Sequence, residues 1–402
     1  MANQLLTISM ITREAIPLFV NSNAFIKNLN RQYDSDFGKN GEKIGSQLRI
    51  RLPNDYTVTD GPALSVQDTA EQQTVLTMSY QKHVDVSFTS ADMLLSLDDF
   101  SERILLPMMN NLAGKVSSNV MQQNAEALCN ITANLDANNN ILSPNDGTYL
   151  DAKATLDINS APPVKHKIIN DPRTEARVVT SLSGLLNPST AISDQYYDGV
   201  MYRALNALWF SDALTIKHTA GTFTAGTVNG AGQTGPTVIT NAITGTLLVG
   251  DIITIAGCVA VNRVAKTTTG ELRQFVILTN AANGATSLNV YPSLIPSVNG
   301  NDVQYQTVVS SPANGAAISL YTNPSVTYRK NFRYVPEAIT MATGDLPMPE
   351  NKITARHRYD NVSMRYVADY IIGTDQRASR LDVLFGSLTT RPEWGCVVPD
   401  KV

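Results

Sequence analysis

Between Thr219 and Thr327 the chain carries only six charged residues: Asp251, Arg263, Lys266, Glu271, Arg273 and Asp302. Thr, Gly, Val and Ile dominate the stretch, and turn-forming residues recur about every eight to twelve positions. Short strands joined by tight turns need only alternation, so the segment is predicted to close as a small sandwich or barrel. Charge density recovers at Arg329-Lys330, which makes the segment read as an insertion. Its flanks, Ala213-Leu214-Thr215-Ile216 and Ala338-Ile339-Thr340-Met341, are expected to belong to one body.

Composition sets outer bounds. At 402 residues the chain suggests two or three domains, or one body with a large insertion. It is 43% hydrophobic and 16% charged, which excludes disorder. A net charge of −4 argues against a general nucleic-acid binder held by phosphate contacts. Cys129, Cys258 and Cys396 are odd in number and far apart, so free buried thiols are expected. The N-terminus lacks the basic-then-apolar order of a signal peptide, and the product is expected to start in the cytoplasm. The longest apolar stretch, Leu247 to Val261, holds Asp251 and Gly257 and is too short to span a bilayer. No membrane partner is predicted.

Along the rest of the chain, residues 7–30 predict two short amphipathic helices broken at Asn21-Ser22-Asn23, too short to stand without a docking surface. Leu48, Ile50 and Leu52 alternate with Arg49 and Arg51. After a turn-rich middle, Leu76, Met78, Tyr80, Val84, Val86 and Phe88 share even positions, predicting an extended two-stranded arm. Thr89 with Asp92, and Ser96 with Asp99, fit capping boxes. A helix from Asp98 to Asn130, bent or started at Pro107, would reach roughly 50 Å. An Asn-, Asp- and Gly-rich loop is expected over 134–151. Helices are expected at Ser189–Tyr197 and Val200–Phe210, and a short strand at Arg177–Thr180. Val362, Met364, Tyr366 and Leu381, Val383, Phe385 return to strand alternation.

Motifs for chemistry fail on context. Gly230-Ala231-Gly232-Gln233-Thr234-Gly235 matches GxGxxG, but strand-forming Pro236–Thr240 follows where a helix is required, so a flexible hairpin tip is expected. Asp136–Asn140 begins like a calcium loop, yet Ile141 and Gly147 stand where Gly and Glu are needed. His83, His166, His218 and His357 show no ligand spacing, and no GxSxG or Walker loop occurs. The basic, aromatic run Arg329–Tyr334 resembles a single-strand binder but is expected to be a solvated strand face. No catalytic, cofactor or metal residue is assigned, and no enzyme activity is expected.

A family resemblance rests on Asn30–Gly38, Gly41–Gly45, Gln67-Asp68, Gln81–Asp85, Leu97–Glu102, Gly250–Gly257 and Thr390–Glu393. In order and spacing these segments resemble the coat proteins of short-tailed Salmonella-type phages, over nearly the whole chain. The resemblance implies an α+β tailed-phage and herpesvirus capsid fold. It would comprise an N-terminal arm (1–33), an extended loop with flanking strands (34–90), and a spine helix (91–133) with its peripheral sheet. An axial domain (134–217 and the first part of 327–402) and C-terminal return strands would complete it, with a telokin-like all-β insertion at 218–326. It further implies an icosahedral virion shell of many copies, assembled in the bacterial cytoplasm, with scaffolding and portal proteins as partners and loosely held double-stranded DNA inside. Inter-subunit candidates are Lys39, Lys43, Arg49 and Arg51 on the loop and Gly230, Gly232 and Gly235 at the insertion's hairpin. That hairpin, Val228–Gly235, is short and uncharged, so charged contacts through it are not expected. Acidic contact to a basic scaffolding tail would rest on Glu14. Two rivals are an encapsulin-like compartment and a β-rich carbohydrate-binding or hydrolytic protein. The insertion argues against the first, and its three acids against the second.

Overall fold

The computed structural model describes residues 12–13, 15–20, 24–31, 47–59, 61–62, 64, 66–67, 71–89, 105–182, 203–298, 301–371 and 376–402. The chain divides into two compact units. The first holds Met1–Ile50, Gln73–Met121 and Ile339–Thr390, and the second holds Arg51–Gln72, Gln122–Ala338 and Arg391–Val402.

In the first unit the long strand Gln376–Thr389 organises a five-stranded antiparallel sheet. It pairs with Ile339–Gly344, Val362–Ile371 and Tyr80–Thr89, and Ile353–Tyr359 adds to Val362–Ile371. Period-two alternation buries Val362, Met364, Tyr366, Leu381, Val383 and Phe385 on one face. The other face carries ion pairs such as Arg365 to Asp382 at 2.6 Å. The helical residues 15–20 and Ala24–Lys27 bury Ile16, Phe19, Phe25 and Ile26. Asn30 then bridges Thr340, and Arg31 pairs with Asp360 at 2.5 Å, so this arm docks on its own unit. The break expected at Asn21–Asn23 lies outside the described residues, as do Asp92, Ser96 and Asp99 of the expected capping boxes, while Thr89 ends the strand Tyr80–Thr89.

Helix α1, Leu106–Ala125, has Pro107 in its first turn and buries Met109, Leu112, Val116 and Val120 at helical spacing. Its 20 residues measure about 30 Å. It stops short of Asn130, which instead starts the short strand Asn130–Ile131.

The two-stranded arm is real but differently built. Gln47–Arg51 pairs with Gln73–Thr77 as a separate sheet, while Tyr80–Thr89 joins the five-stranded one. The even-position pattern runs unbroken through Met78, so the alternation gave no sign of this break. Gly386 lets the arm lie close: a Cβ there would stand 2.3 Å from the Thr77 carbonyl oxygen. Leu76 and Ala342 form the buried contact, flanked by Leu48, Ile50, Met78 and Leu388.

The second unit is built on a seven-stranded sheet. Its order is Asn130–Ile131, Gly395–Lys401, Thr327–Tyr334, His166–Asn170, Ala207–Ser211, Arg203–Ala204, with Lys217–Thr219 also pairing to Thr327–Tyr334. Helices α2, Asp146–Ile158, and α3, Pro172–Leu182, pack through Tyr149, Leu156 and Val178 against Ile168, Trp209 and Val398.

Three expectations fail in this unit. The 134–151 loop ends early because Asn145 caps α2 and forms a capping box with Thr148. Arg177–Thr180 is helical: Asp171 accepts from the Arg173 N–H, and Pro172 suits a first helical position. Val200–Phe210 is no helix over its described part, which forms a hairpin turning at Leu205-Asn206, both at positive φ. Ser189–Tyr197 lies outside the described residues.

Five further strands of this unit, ordered Ile318–Leu320, Ile252–Val261, Thr268–Ile277, Ser287–Leu294, Gly235–Ile239, make the charge-poor sheet. Its edges are joined by one segment, where Thr227 bridges Ala317 and Val228 bridges Thr240. The sheet therefore closes into a barrel around Phe223, Ile253, Ile255, Phe275, Ile277, Val290 and Val308. The turn at Gly245 packs tightly: its φ is +89° and an added Cβ would lie 2.1 Å from the Thr222 carbonyl oxygen. Gly245→Ala is expected to cost about 2 kcal/mol or more, read from the denaturation midpoint. An unchanged midpoint would refute this account of the turn.

The chain enters and leaves the barrel side by side, since Lys217–Thr219 pairs antiparallel with Thr327–Arg329. The expected flanks do not share a body. Ala213–Ile216 lies in the second unit, whereas Ile339–Met341 belongs to the first.

Candidate assembly surfaces

Arg49 and Arg51 stand exposed on the strand Gln47–Arg51, and Arg51 lies 3.7 Å from Glu71. Lys39, Lys43 and Glu14 fall outside the described residues. Gly230, Gly232 and Gly235 all take positive φ, at 91°, 74° and 93°. The loop they shape is not loose: Gln233 donates to the Asn229 and Ile239 carbonyl oxygens at 2.7 and 2.9 Å and accepts from the Ile239 N–H. The three glycines thus sit on one clamped hairpin, away from Arg49 and Arg51 in sequence and in sheet.

The turn-rich middle of the arm carries exposed apolar side chains that no periodic pattern announces. Here Val58 is 93% exposed, Leu64 90% and Val66 81%. Isolated exposed apolar residues are ordinary, but three within nine positions make a surface that favours a covering partner. Asp55 pairs with Arg263, which also meets Glu393 at 2.7 Å, and Asn54 Oδ1 accepts from the Tyr305 hydroxyl at 3.3 Å. Burial works against the Arg263 charge, but Asp55 and Glu393 more than offset it and raise its pKa.

Asp251 locks the barrel to the sheet beneath it. It is fully buried and accepts from His218 Nε2 at 2.8 Å, the Gly221 N–H at 3.1 Å and the Leu248 N–H at 2.8 Å. Burial lowers the His218 pKa, and Lys330 adds to this, so the imidazole is neutral at pH 7 and donates from Nε2. Lys330 Nζ reaches the Gly250 carbonyl oxygen at 3.1 Å. Beside them Gln274 exchanges two bonds with the Ile131 backbone, copying a strand pair with a side chain.

The basic run Arg329–Tyr334 is not a solvated face. It is a central strand with both faces covered, and Arg329, Lys330 and Arg333 are buried. Odd positions point to the helices: Arg333 donates to His166 Nδ1, to the Tyr149 carbonyl and to the Leu205 carbonyl, all near 3.0 Å. A nucleic-acid contact through this cluster is ruled out by its burial.

Burial, reinforced by Arg333, lowers the His166 pKa to about 4. Its neutral form therefore stabilises the fold above pH 6.5, and that contribution is lost as pH falls toward 4. Acid should remove on the order of 2 kcal/mol through this group, discounted for screening. His166→Gln keeps an acceptor for Arg333 and should flatten that part of the pH profile; an unchanged slope would count against it. The three cysteines are buried and free, with Cys129 and Cys396 pushed up to about 12 and Cys258 to about 11 by burial. Asp136 is occupied by Asn138 and Asn140, as a plain Asn-rich turn requires.

Residues 1–399 match the family described as P22 coat protein, gene protein 5. The chain belongs to the P22 coat protein family. This coat protein is a capsid-forming component of an icosahedral phage head, located in the virion, and its mixed α+β architecture is consistent with a phage capsid fold. Its structure is similar to that of Mycobacterium phage Che8, at 11% identity and TM-score 0.46, covering 93% of this chain and 90% of the other. It is also similar to the capsid of cyanophage P-SCSP1u (11%, 0.43, 88% and 83%) and that of Ralstonia phage GP4 (7%, 0.44, 89% and 84%). No curated protein matches the chain.

Proposed function

We propose that this coat protein is a non-catalytic subunit whose 34–90 arm overlaps neighbouring copies. The exposed strip Val58, Leu64 and Val66 carries the reading, because in a shell a neighbour can cover it. Residues 218–326 take the place of the family's telokin-like insertion: a closed barrel hung on two adjacent crossings suits an element that folds on its own hydrophobic core. Lys39, Lys43, Arg49 and Arg51 would add contacts along the arm, and Gly230, Gly232 and Gly235 would shape a hairpin meeting a neighbour. A scaffolding protein would bind near Glu14, a portal would occupy one vertex, and duplex DNA would be held inside by loose contact with a mildly acidic chain.

The test is Leu64→Asp, expressed with a matching scaffolding protein. Leu64 is almost fully exposed, so subunit stability should stay within about 0.5 kcal/mol. Closed particles counted by electron microscopy should fall by about tenfold or more, the effect of losing roughly 1.4 kcal/mol at a single contact. Normal particle yield would refute the overlap of this strip with a neighbour.

A further inference from the structure

The second unit contains a cavity of about 120 Å³ beside the C-terminal end of α2, lined by Asn159, Arg263, Arg273, Tyr291, Ser293 and Glu393 among others. Its charges do not balance. Glu393 Oε1 takes Arg263 at 2.7 Å and Arg391 at 3.3 Å, and Oε2 takes the Tyr291 hydroxyl at 2.9 Å. Arg263 gives its Nε to Asp55. Two carboxylates thus face three guanidiniums, the third being Arg273. Among the described residues no carboxylate lies within ion-pair distance of it.

Arg273 is only 7% exposed. Its Nη1 donates to the neutral Asn159 Oδ1 at 2.8 Å, and its Nε is buried with no partner. Leaving a buried cation unpaired is costly, and a buried donor without an acceptor adds to that cost. The cavity has room for water, which could solvate the guanidinium. Only an anion also cancels the charge. The room suits a small, compact anion.

We propose that this cavity binds a small tetrahedral oxyanion, with inorganic phosphate as the probe, through the guanidinium of Arg273 and the remaining Nη2 of Arg263. Glu393 does not repel it strongly because its oxygens are already engaged by Arg263, Arg391 and Tyr291. An anion there would bind the barrel wall to α2 and to the 391–393 turn at once.

The experiment uses the full, unassembled chain. Phosphorus NMR line broadening of inorganic phosphate should saturate with protein, and melting at constant ionic strength should rise by a few degrees when phosphate replaces chloride. Arg273→Lys, which replaces a planar fork by a point charge, should weaken binding at least about tenfold. Should that variant not fold, competition on the unaltered chain decides: sulfate displaces phosphate, while chloride and a DNA oligonucleotide do not. Non-saturating broadening, equal binding by Arg273→Lys, or displacement by the oligonucleotide would each overturn the site.

Discussion

Asp251→Ala is expected to unfold the junction between the barrel and its supporting sheet. The carboxylate satisfies three buried donors, His218 Nε2 and the Gly221 and Leu248 N–H groups, and alanine satisfies none. Each orphaned donor costs about 1–3 kcal/mol, and relaxation with entering water reduces the sum, so a loss of about 3–5 kcal/mol is expected. That is a large share of a typical domain's stability. The measurement is the denaturant midpoint of the full chain, with particle yield as the second reading. The barrel should go first, because Asp251 also shapes the 248–251 turn that starts the strand Ile252–Val261. Asp251→Asn retains one acceptor and should lie between alanine and the natural residue. A midpoint within error of the unaltered chain would show that the barrel is held by its other contacts, Gln274 with Ile131 and Arg273 with Asn159.

How much of this junction can be read from sequence depends on whether a residue acts locally or across space. The charge-poor stretch announces a β barrel because its core alternation is local, and the buried residues Ile253, Ile255, Phe275 and Ile277 obey period two. The alternation at Val362–Tyr366 and Leu381–Phe385 is legible for the same reason. Asp251 gives no such signal: its partners lie 3, 30 and 33 residues away, and only tertiary folding brings them together. The basic strand misleads in the opposite sense. Its pattern is that of a half-wet strand, and its burial follows from helices encoded 150 residues earlier and a barrel encoded before it. At Arg177–Thr180 the β-branched pair outweighed the Asp-Pro cap, although the cap is the stronger local signal for a helix start. The exposed apolar residues Val58, Leu64 and Val66 are not legible in the sequence, because turn residues surround them and they fall outside any periodic pattern.

Lys330 should make the subunit's stability depend on alkaline pH in a way that a methionine in its place abolishes. The ammonium is buried, and two opposing influences act on it. Burial favours the neutral amine, while Glu126 and Asp251 favour the charge. Burial prevails and lowers the pKa from 10.5 to about 8. The sign follows from proton binding. Between pH 8 and 10.5 the unfolded chain holds this proton and the folded chain does not, so stability falls as pH drops through that window. Below about pH 8 the full penalty applies, roughly 3 kcal/mol for the shift. Lys330→Met keeps the apolar stem but loses the bond to the Gly250 carbonyl, worth about 1 kcal/mol. The variant should therefore be more stable than the natural chain at pH 7 by about 1–2 kcal/mol, and less stable at pH 10.5 by about 1 kcal/mol. Cysteines and tyrosines also titrate at alkaline pH, but in both proteins, so the difference between the two curves isolates Lys330. Denaturant midpoints from pH 7 to 10.5 would reveal the crossing. Parallel curves, with methionine the weaker throughout, would mean that Glu126 and Asp251 hold the ammonium charged and that its ion pairing outweighs its burial.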